Sequence, residues 1–429
     1  MYGTKKDIKY NLTLFFLDGM LFMPAMTLIA IATVIPFFLE YLNASTFQIA
    51  LAATLVSFCA FITQPLFGSI ASRTKNMSTT FGWILIMQRI IFLAFALSIP
   101  IFAVNPPLLI WLFLIFWGAF NIFVGSYSVF FTPILLKLLP PEKRGAMRGV
   151  GAAIGSLLGV GIAALIPTII NNITFPFNFV VIFATGTVIL LIDACFFLLM
   201  REHADVEPRI PFKITQYIKS IPSSVREDVL FRTMIIMCTF LVVANALLPY
   251  YTIYAIQVFD AIESHIATLA ALAVLAGAIG HVGFGLIVDR WGPVPTSVIS
   301  ACLVILAGTT ALATNSLYVL YVAWAFANLG ITSYIITVSQ LLEKVTSSEK
   351  FPLYVGVLTT ISMAVSSAVV LLLAPVLENI GFTLLFVVVL TCGLASLAVN
   401  LLFFRRLLKK RQEELHAVFK TNCHSDKGV

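Results

Sequence analysis

Charge is what this sequence is short of. Only 10% of its 429 residues are Asp, Glu, Lys or Arg, against about a quarter in a soluble domain. So few charges cannot cover a water-facing surface, while 60% of the residues are hydrophobic and 37 are Phe. The sequence also lacks a Gly-x-x-x-x-Gly-Lys-Ser/Thr phosphate loop, which argues against ATP hydrolysis by the chain itself. It has no His-Glu-x-x-His and no cysteine-histidine cluster at ligand spacing, so it reads as a non-enzyme needing neither metal nor cofactor. Disulfide frameworks are excluded in the same way. Cys59, Cys195, Cys238, Cys302 and Cys392 lie within apolar runs and Cys423 in a polar tail, as small packing residues do. A cleavable signal peptide is also missing. Residues 1–10 are polar and basic, and the apolar run after them is about thirty residues long, beyond the ~7–15 of a signal core.

What is present is a series of long apolar runs. A helix needs about 20 residues to span a bilayer, and about twelve runs qualify: 11–40, 47–71, 79–102, 108–136, 147–170, 177–200, 234–258, 267–288, 294–313, 317–342, 353–377 and 382–404. The fold class expected is therefore an all-α membrane protein of about twelve transmembrane helices in two six-helix bundles. The first bundle is 1–200, a cytoplasmic linker 201–232, the second bundle 233–405 and a cytoplasmic tail 406–429. The linker carries Glu202, Asp205, Glu207, Arg209, Lys213, Lys219, Arg226, Glu227 and Asp228, and 214–221 within it suits a short interfacial helix.

Basic residues segregate to alternate connections. One side receives Lys5, Lys6 and Lys9, Arg73 and Lys75, Lys143, Arg144 and Arg148, the linker, Arg290, Lys344, Lys350, and the cluster from Arg405 to Arg411. The connections at 42–46, 105–107, 171–176, 259–265, 314–316 and 378–381 hold no Lys or Arg. The positive-inside rule makes the basic side cytoplasmic, with both termini there. A net charge of +7 spread over membrane-flanking turns fits anionic lipid rather than nucleic acid.

The two halves repeat. Leu-Leu-Lys-Leu-Leu-Pro-Pro-Glu-Lys-Arg-Gly from Leu135 parallels Leu-Leu-Glu-Lys-Val-Thr-Ser-Ser-Glu-Lys-Phe from Leu341, and Gly68-Ser-Ile-Ala-Ser-Arg73 parallels Gly285-Leu-Ile-Val-Asp-Arg-Trp-Gly292. Marked turns at corresponding places indicate a parallel repeat and pseudo-symmetric bundles. On these residues the sequence resembles the major facilitator superfamily of secondary transporters over nearly its whole length. That family's turn is Gly-x-Leu-Ala-Asp-Arg-x-Gly-Arg-Lys. Gly285, Asp289, Arg290 and Gly292 match it, whereas the first half keeps Gly68, Ala71 and Arg73 but has Ser72 for Asp and Lys75 for Gly. The resemblance implies a cytoplasmic gating role for these turns; the plainer reading is a positive-inside turn. The fifth span carries Gly151, Gly155, Ser156, Gly159 and Gly161, partly like the family's exporter motif, and otherwise suited to tight packing at the interface between the bundles.

Four ionisable groups fall inside spans: Asp18, Arg89, Asp193 and His281. Such groups are costly and each marks a functional hypothesis. At ~1.5 Å per residue Arg89 lies about 15 Å from the basic face, and Asp18 and Asp193 about 10 Å from it. Arg89 is expected to bond Asp18, Asp193 or both, either as a permanent lock or as a proton-carrying network. His281 is a second proton candidate, or bonds a carbonyl.

The resemblance implies that spans one, four, seven and ten line a central path. Substrate-cavity candidates on them are Asn121, Ser128 and Thr132, then Asn245, Tyr250 and Tyr254, then Asn328 and Thr332. These neutral faces suit an uncharged or amphipathic solute, or else bond helix to helix. The expected function is a secondary transporter moving a small organic solute by alternating access, coupled to protons, with export favoured over uptake. It would be a monomer in a bacterial inner membrane, its partners being solute, protons and lipid. A sugar or nucleoside proton symporter is the alternative, and a transport-inactive sensor or lipid-handling protein the alternative from another class.

Overall fold

Hydrocarbon offers no partner to a peptide group, so a crossing segment must close its own backbone bonds as a helix. The computed structural model describes residues 4–202, 214–346, 350–411 and 413. Asp205, Glu207, Arg209 and Lys213 of the linker, Glu349 and the tail beyond 413 lie outside the described residues, as do the side chains of Glu142, Lys143, Arg144 and Arg148. The first half comprises α1 (Lys5–Leu28), α2 (Val34–Tyr41), α3 (Thr46–Arg73), α4 (Met77–Phe102), α5 (Pro106–Asn121), α6 (Gly125–Leu138), α7 (Pro141–Asn172) and α8 (Phe177–Leu199). After α9 (Ile214–Glu227), the second half comprises α10 (Val229–Ala246), α11 (Pro249–Phe259), α12 (Glu263–Trp291), α13 (Pro293–Leu312), α14 (Leu317–Val345), α15 (Phe351–Ile380) and α16 (Thr383–Val399). The described residues hold twelve spans long and apolar enough to cross a membrane.

Three runs that hydropathy reads as continuous are broken. The first span stops at Leu28 and resumes at Val34, with Thr33 at φ −133°. The fourth is interrupted between Asn121 and Gly125, where Val124 N–H bonds Asn121 O at 3.0 Å and Ser126 N–H bonds Phe123 O at 3.0 Å. The seventh breaks before Pro249, which has no N–H to continue a ladder. All three breaks consist of apolar or neutral residues, so no change of hydropathy marks them. Irregular backbone is tolerated at this depth where protein re-satisfies it or it borders a cavity. Both apply to the first break: Thr252 Oγ1 donates to Ala32 O at 2.6 Å, and Ala30, Ala32 and Thr33 border a cavity. The last span runs on through Arg411 with a π-helical turn at Asn400–Phe404.

The repeat extends to side-chain bonds. Trp117 of α5 donates Nε1–H to Ala52 O of α3 at 2.9 Å, and Trp324 of α14 to Leu269 O of α12 at 2.7 Å. Asn121 and Asn328 each bond the carbonyl of the tryptophan four residues back, at 2.7 and 2.9 Å. Farther along the same crossings, Gly125 lies against Thr63 and Gly280 against Thr332. These are equivalent positions, with glycine and threonine traded between the halves.

The halves meet along α7 and α12 and along α3 and α15. Their apolar core is single at one end and forked at the other. One cluster joins both halves from Ala25–Ala52 and Phe92–Phe120 to Leu241–Leu269 and Leu320–Ala327. Toward the face carrying Lys5, Arg73 and Arg411, the first half has its own cluster around Phe15, Phe81 and Phe197, and the second half another around Phe231, Met234 and Leu341. At the joined end Gln257 Nε2 bonds Glu40 Oε1 at 2.9 Å across the halves.

On the forked face Glu202 ties the end of α8 to its neighbours. It accepts from Ser78 N–H and Oγ at 2.7 and 2.6 Å and pairs with Lys137 at 2.8 Å. Asp228 does similar work in the second half, capping α10 at Phe231 N–H and pairing with Arg411 at 3.1 Å. Burial opposes the Glu202 charge, but the bonds from Lys137 and Ser78 outweigh it and hold the carboxyl below the ordinary glutamate range. A depressed folded-state value gives stability that is full above the unfolded value near ~4.3 and fades as pH falls through the folded one. Glu202→Gln is thus expected to lower stability in detergent at neutral pH by about 1–3 kcal/mol, read as a lower unfolding temperature. Its difference from the native chain should shrink on acidification; a pH-independent difference would contradict this account.

Candidate functional site

The site grows from a close approach of α1 to α7. A Cβ on Gly151 would stand 2.7 Å from Phe16 O, and one on Gly155 would collide with Gly19 O. The fifth-span glycines therefore seat α7 mainly on the first span of the same bundle, which corrects the expectation of packing between the bundles. Gly159 alone of these positions touches the other half, at Val274, and Gly161 has open space around its would-be Cβ. Asp18 sits beside Gly19 at this crossing, half-buried on a cavity wall.

Arg89 of α4 is fully buried and all five of its N–H donors have acceptors. Nε bonds Leu190 O at 3.1 Å; Nη1 bonds Leu85 O at 3.2 Å and Gln88 Oε1 at 3.0 Å; Nη2 bonds the Tyr127 hydroxyl at 2.9 Å and Asp193 Oδ2 at 3.4 Å. A guanidinium in low dielectric demands this degree of satisfaction. Asp193, 1% exposed, leaves Oδ1 without a hydrogen-bond donor among the described residues, and its carboxyl is in hydrogen-bonding contact with that of Asp18. Among the described residues the cluster includes two carboxyls and one guanidinium.

The second half has a neutral counterpart. Asn400 occupies the place on the twelfth span that Asp193 holds on the sixth. Its Nδ2 bonds Ser297 Oγ of α13 at 2.7 Å and lies 3.1 Å from Met237 S of α10. An amide is enough to tie three spans together there, so the charge in the first half is not demanded by packing.

Cavities surround α1. One, of about 330 Å³, is bordered by Asp18, Asp193, Tyr127, Ser128, Thr132 and aromatic side chains. A second, about 210 Å³, lies between the halves, bordered by Met23, Thr27 and Ser156 on one side and Val274, Gly277 and His281 on the other. A third, also about 210 Å³, is bordered by Gln88, Asn121, Trp117 and Tyr127. Phe22, Met23 and Met26 are shared between neighbouring cavities, so α1 is the common wall.

Asp18, Asp193, Ser128 and Thr132 are thus gathered at one cavity, with Arg89 behind its wall, while Asn121 and His281 face adjoining ones. The remaining cavity candidates are placed elsewhere. Tyr250 is in the core with its hydroxyl 3.4 Å from Val370 O, and Tyr254 packs on Phe259, Phe382 and Phe386. Asn328 and Thr332 bond carbonyls of their own helix, and Asn245 is half-buried next to the α10–α11 break. Gln88 and Tyr127 escaped the sequence reading, although Gln88 adjoins Arg89 in the chain. Of the turn residues, Gly68 and Gly285 are half-buried, and Gly292 ends α12 at φ +83°, a conformation that favours glycine. Arg73, Asp289 and Arg290 are exposed and form no ion pair among the described residues.

Comparison with known proteins agrees with this architecture. The family profile described as Major Facilitator Superfamily matches residues 13–294. Similar solved structures include a point mutant of the nucleoside transporter NupG, at TM-score 0.67 and 12% identity, covering 93% of this chain and 99% of that one. Another is a bacterial homolog of the human lysosomal transporter Spinster, inward-facing and unoccupied, at TM-score 0.62 and 14% identity, covering 94% and 95%. No curated protein matches the sequence. With its twelve spans in two pseudo-symmetric bundles and this profile match, the chain belongs to the Major Facilitator Superfamily.

Proposed function

We propose that this transporter moves a small amphipathic organic solute by alternating access and couples it to protons at the Asp18–Asp193 pair. The observation that carries the proposal is the second carboxyl. Arg89 pairs with Asp193, whose Oδ1 has no donor among the described residues, and a proton held between Asp18 and Asp193 would supply one. Like charges in contact make such sharing favourable, and the cavity beside them gives solute and protons one place to influence each other. The forked core supports a conformation open on the basic face, which the positive-inside rule makes cytoplasmic. Solute entering from that side and a proton held at the same wall correspond to exchange, hence export.

The test is proton flux in proteoliposomes challenged with drugs, sugars and nucleosides. The native chain is expected to move protons in response to at least one solute. Asp18→Asn and Asp193→Asn should abolish that movement and His281→Gln should retain it, all three compared at equal folded yield. Labelled solute crossing without protons would overturn the coupling. Silence of both labelled solute and protons across the panel would move the sensor or lipid-handling reading ahead.

A further inference from the structure

We infer that the seam where α9 passes between the halves, on the basic face, binds an anionic membrane lipid. α9 touches α3 of the first half and α10 and α15 of the second. Its apolar residues Ile218, Ile221 and Val225 recur at helical spacing. Ile221 and Val225 pack on the cluster around Phe231, whereas Ile218 is 58% exposed. Lys219 and Arg226, seven residues apart, lie on an adjoining face and are exposed. An apolar stripe flanked by cations suits a helix lying in the plane of the membrane surface, with its cations level with the lipid phosphates.

The neighbouring helices offer a place to both parts of a lipid. On α3 the side chains of Ile62, Leu66 and Ile70 form an exposed apolar line, which runs toward Arg73 at the helix end and Lys75 just beyond it. Lys350 precedes α15 on the same face. Arg73, Lys75, Lys219, Arg226 and Lys350 are exposed and form no ion pair among the described residues. Of the acids in 214–228, Asp228 is taken up by Arg411 and by the Phe231 N–H, which leaves Glu227 alone against this group of cations. Cations next to a membrane attract anionic headgroups. A free phosphate would use the cations but neither Ile218 nor the line on α3, so the combination favours a lipid. Because α9 is also part of the chain's own connection, a lipid held by α3 and α9 together links the halves a second time at the forked face.

The experiment titrates the purified full-length chain in detergent with phosphatidylglycerol, phosphatidylcholine of the same chain length, and inorganic phosphate. Unfolding temperature and bound lipid counted by native mass spectrometry are the two readouts. Phosphatidylglycerol is expected to bind and to raise the unfolding temperature, with an affinity that falls as salt rises; the other two should do neither. Lys219→Gln with Arg226→Gln should weaken it about thirty-fold, the product of a loss for each cation near a charged lipid surface. Ile218→Ser should weaken it several-fold by removing apolar contact. Lys5→Gln with Lys6→Gln, the same loss of charge on α1, should leave it unchanged. Equal binding of phosphatidylcholine, or inorganic phosphate stabilising the chain as well as the lipid does, overturns the inference. So does phosphatidylglycerol affinity that ignores the α9 substitutions, or that falls equally with the α1 pair. Should the double glutamine variant unfold early, Lys219→Arg with Arg226→Lys takes its place: binding that persists and is abolished by salt supports the site, and binding indifferent to salt overturns it.

Discussion

Replacing Arg89 with alanine is expected to cost about 3–5 kcal/mol of stability, enough to leave little folded protein. The guanidinium is the hub for α4, α6 and α8, bonding Leu190 O, Tyr127 and Asp193 besides Leu85 O and Gln88 on its own helix. Its removal takes a side-chain donor from two backbone carbonyls and leaves Asp193, in contact with a second acid, without the cation it pairs with. The double variant Arg89→Ala with Asp193→Asn should recover part of the loss, since the acid without a counter-charge is gone. Asn400 indicates that an amide can hold the equivalent crossing. Thermal unfolding in detergent, followed by the monodisperse fraction, checks this. A double variant no more stable than the single one would mean that the carbonyls, not the charges, dominate.

Gly155→Ile is the second large effect. Its Cβ would overlap Gly19 O and come within 2.9 Å of Met20 O. Both are backbone atoms that cannot rotate aside, so α1 must move bodily away from α7. Overpacking of this type costs about 1–3 kcal/mol or more. The functional loss should be larger still, because Asp18 adjoins the displaced segment and its contact with Asp193 depends on that position. Gly161→Ala, with nothing within 4 Å of the new Cβ, should behave as the native chain in unfolding temperature and in transport. Equal behaviour of the two variants would show that the α1–α7 approach has slack.

The long runs, the alternation of basic connections and the buried charges were all legible in the sequence, because a bilayer penalises exceptions to them heavily. The pairing of Arg89 with an acid followed from the same penalty, and the structure places it on Asp193. The rest of the cluster was not legible. Three of its partners are a neighbouring glutamine and two carbonyls, which leave no chemical mark in a sequence. The polar faces of the second half illustrate the opposite limit. Helical spacing aligns Asn328 and Thr332, yet each bonds a carbonyl of its own helix, a competition open to short polar side chains. Tyr250 reads as amphipathic from its hydroxyl but lies wholly in the core. A signal that was present and went unread is the Trp-x-x-x-Asn of the fourth and tenth spans.

The traded glycine and threonine at the two crossings bear on how the halves diverged. A duplicated half starts with the same two residues in both copies, whichever pair that was. The present chain pairs Gly125 with Thr63 in one and Thr332 with Gly280 in the other, each glycine filled by the threonine opposite. Passing from one arrangement to its reverse in single steps leads through threonine at both positions or glycine at both. Two threonines are blocked, since even a bare Cβ at Gly125 would lie 2.6 Å from Gln64 N. Two glycines leave a void, which a helix pair survives at reduced stability. With these two residue types the crossing packs tightly in either arrangement but not in between, and each half fills it from the opposite side.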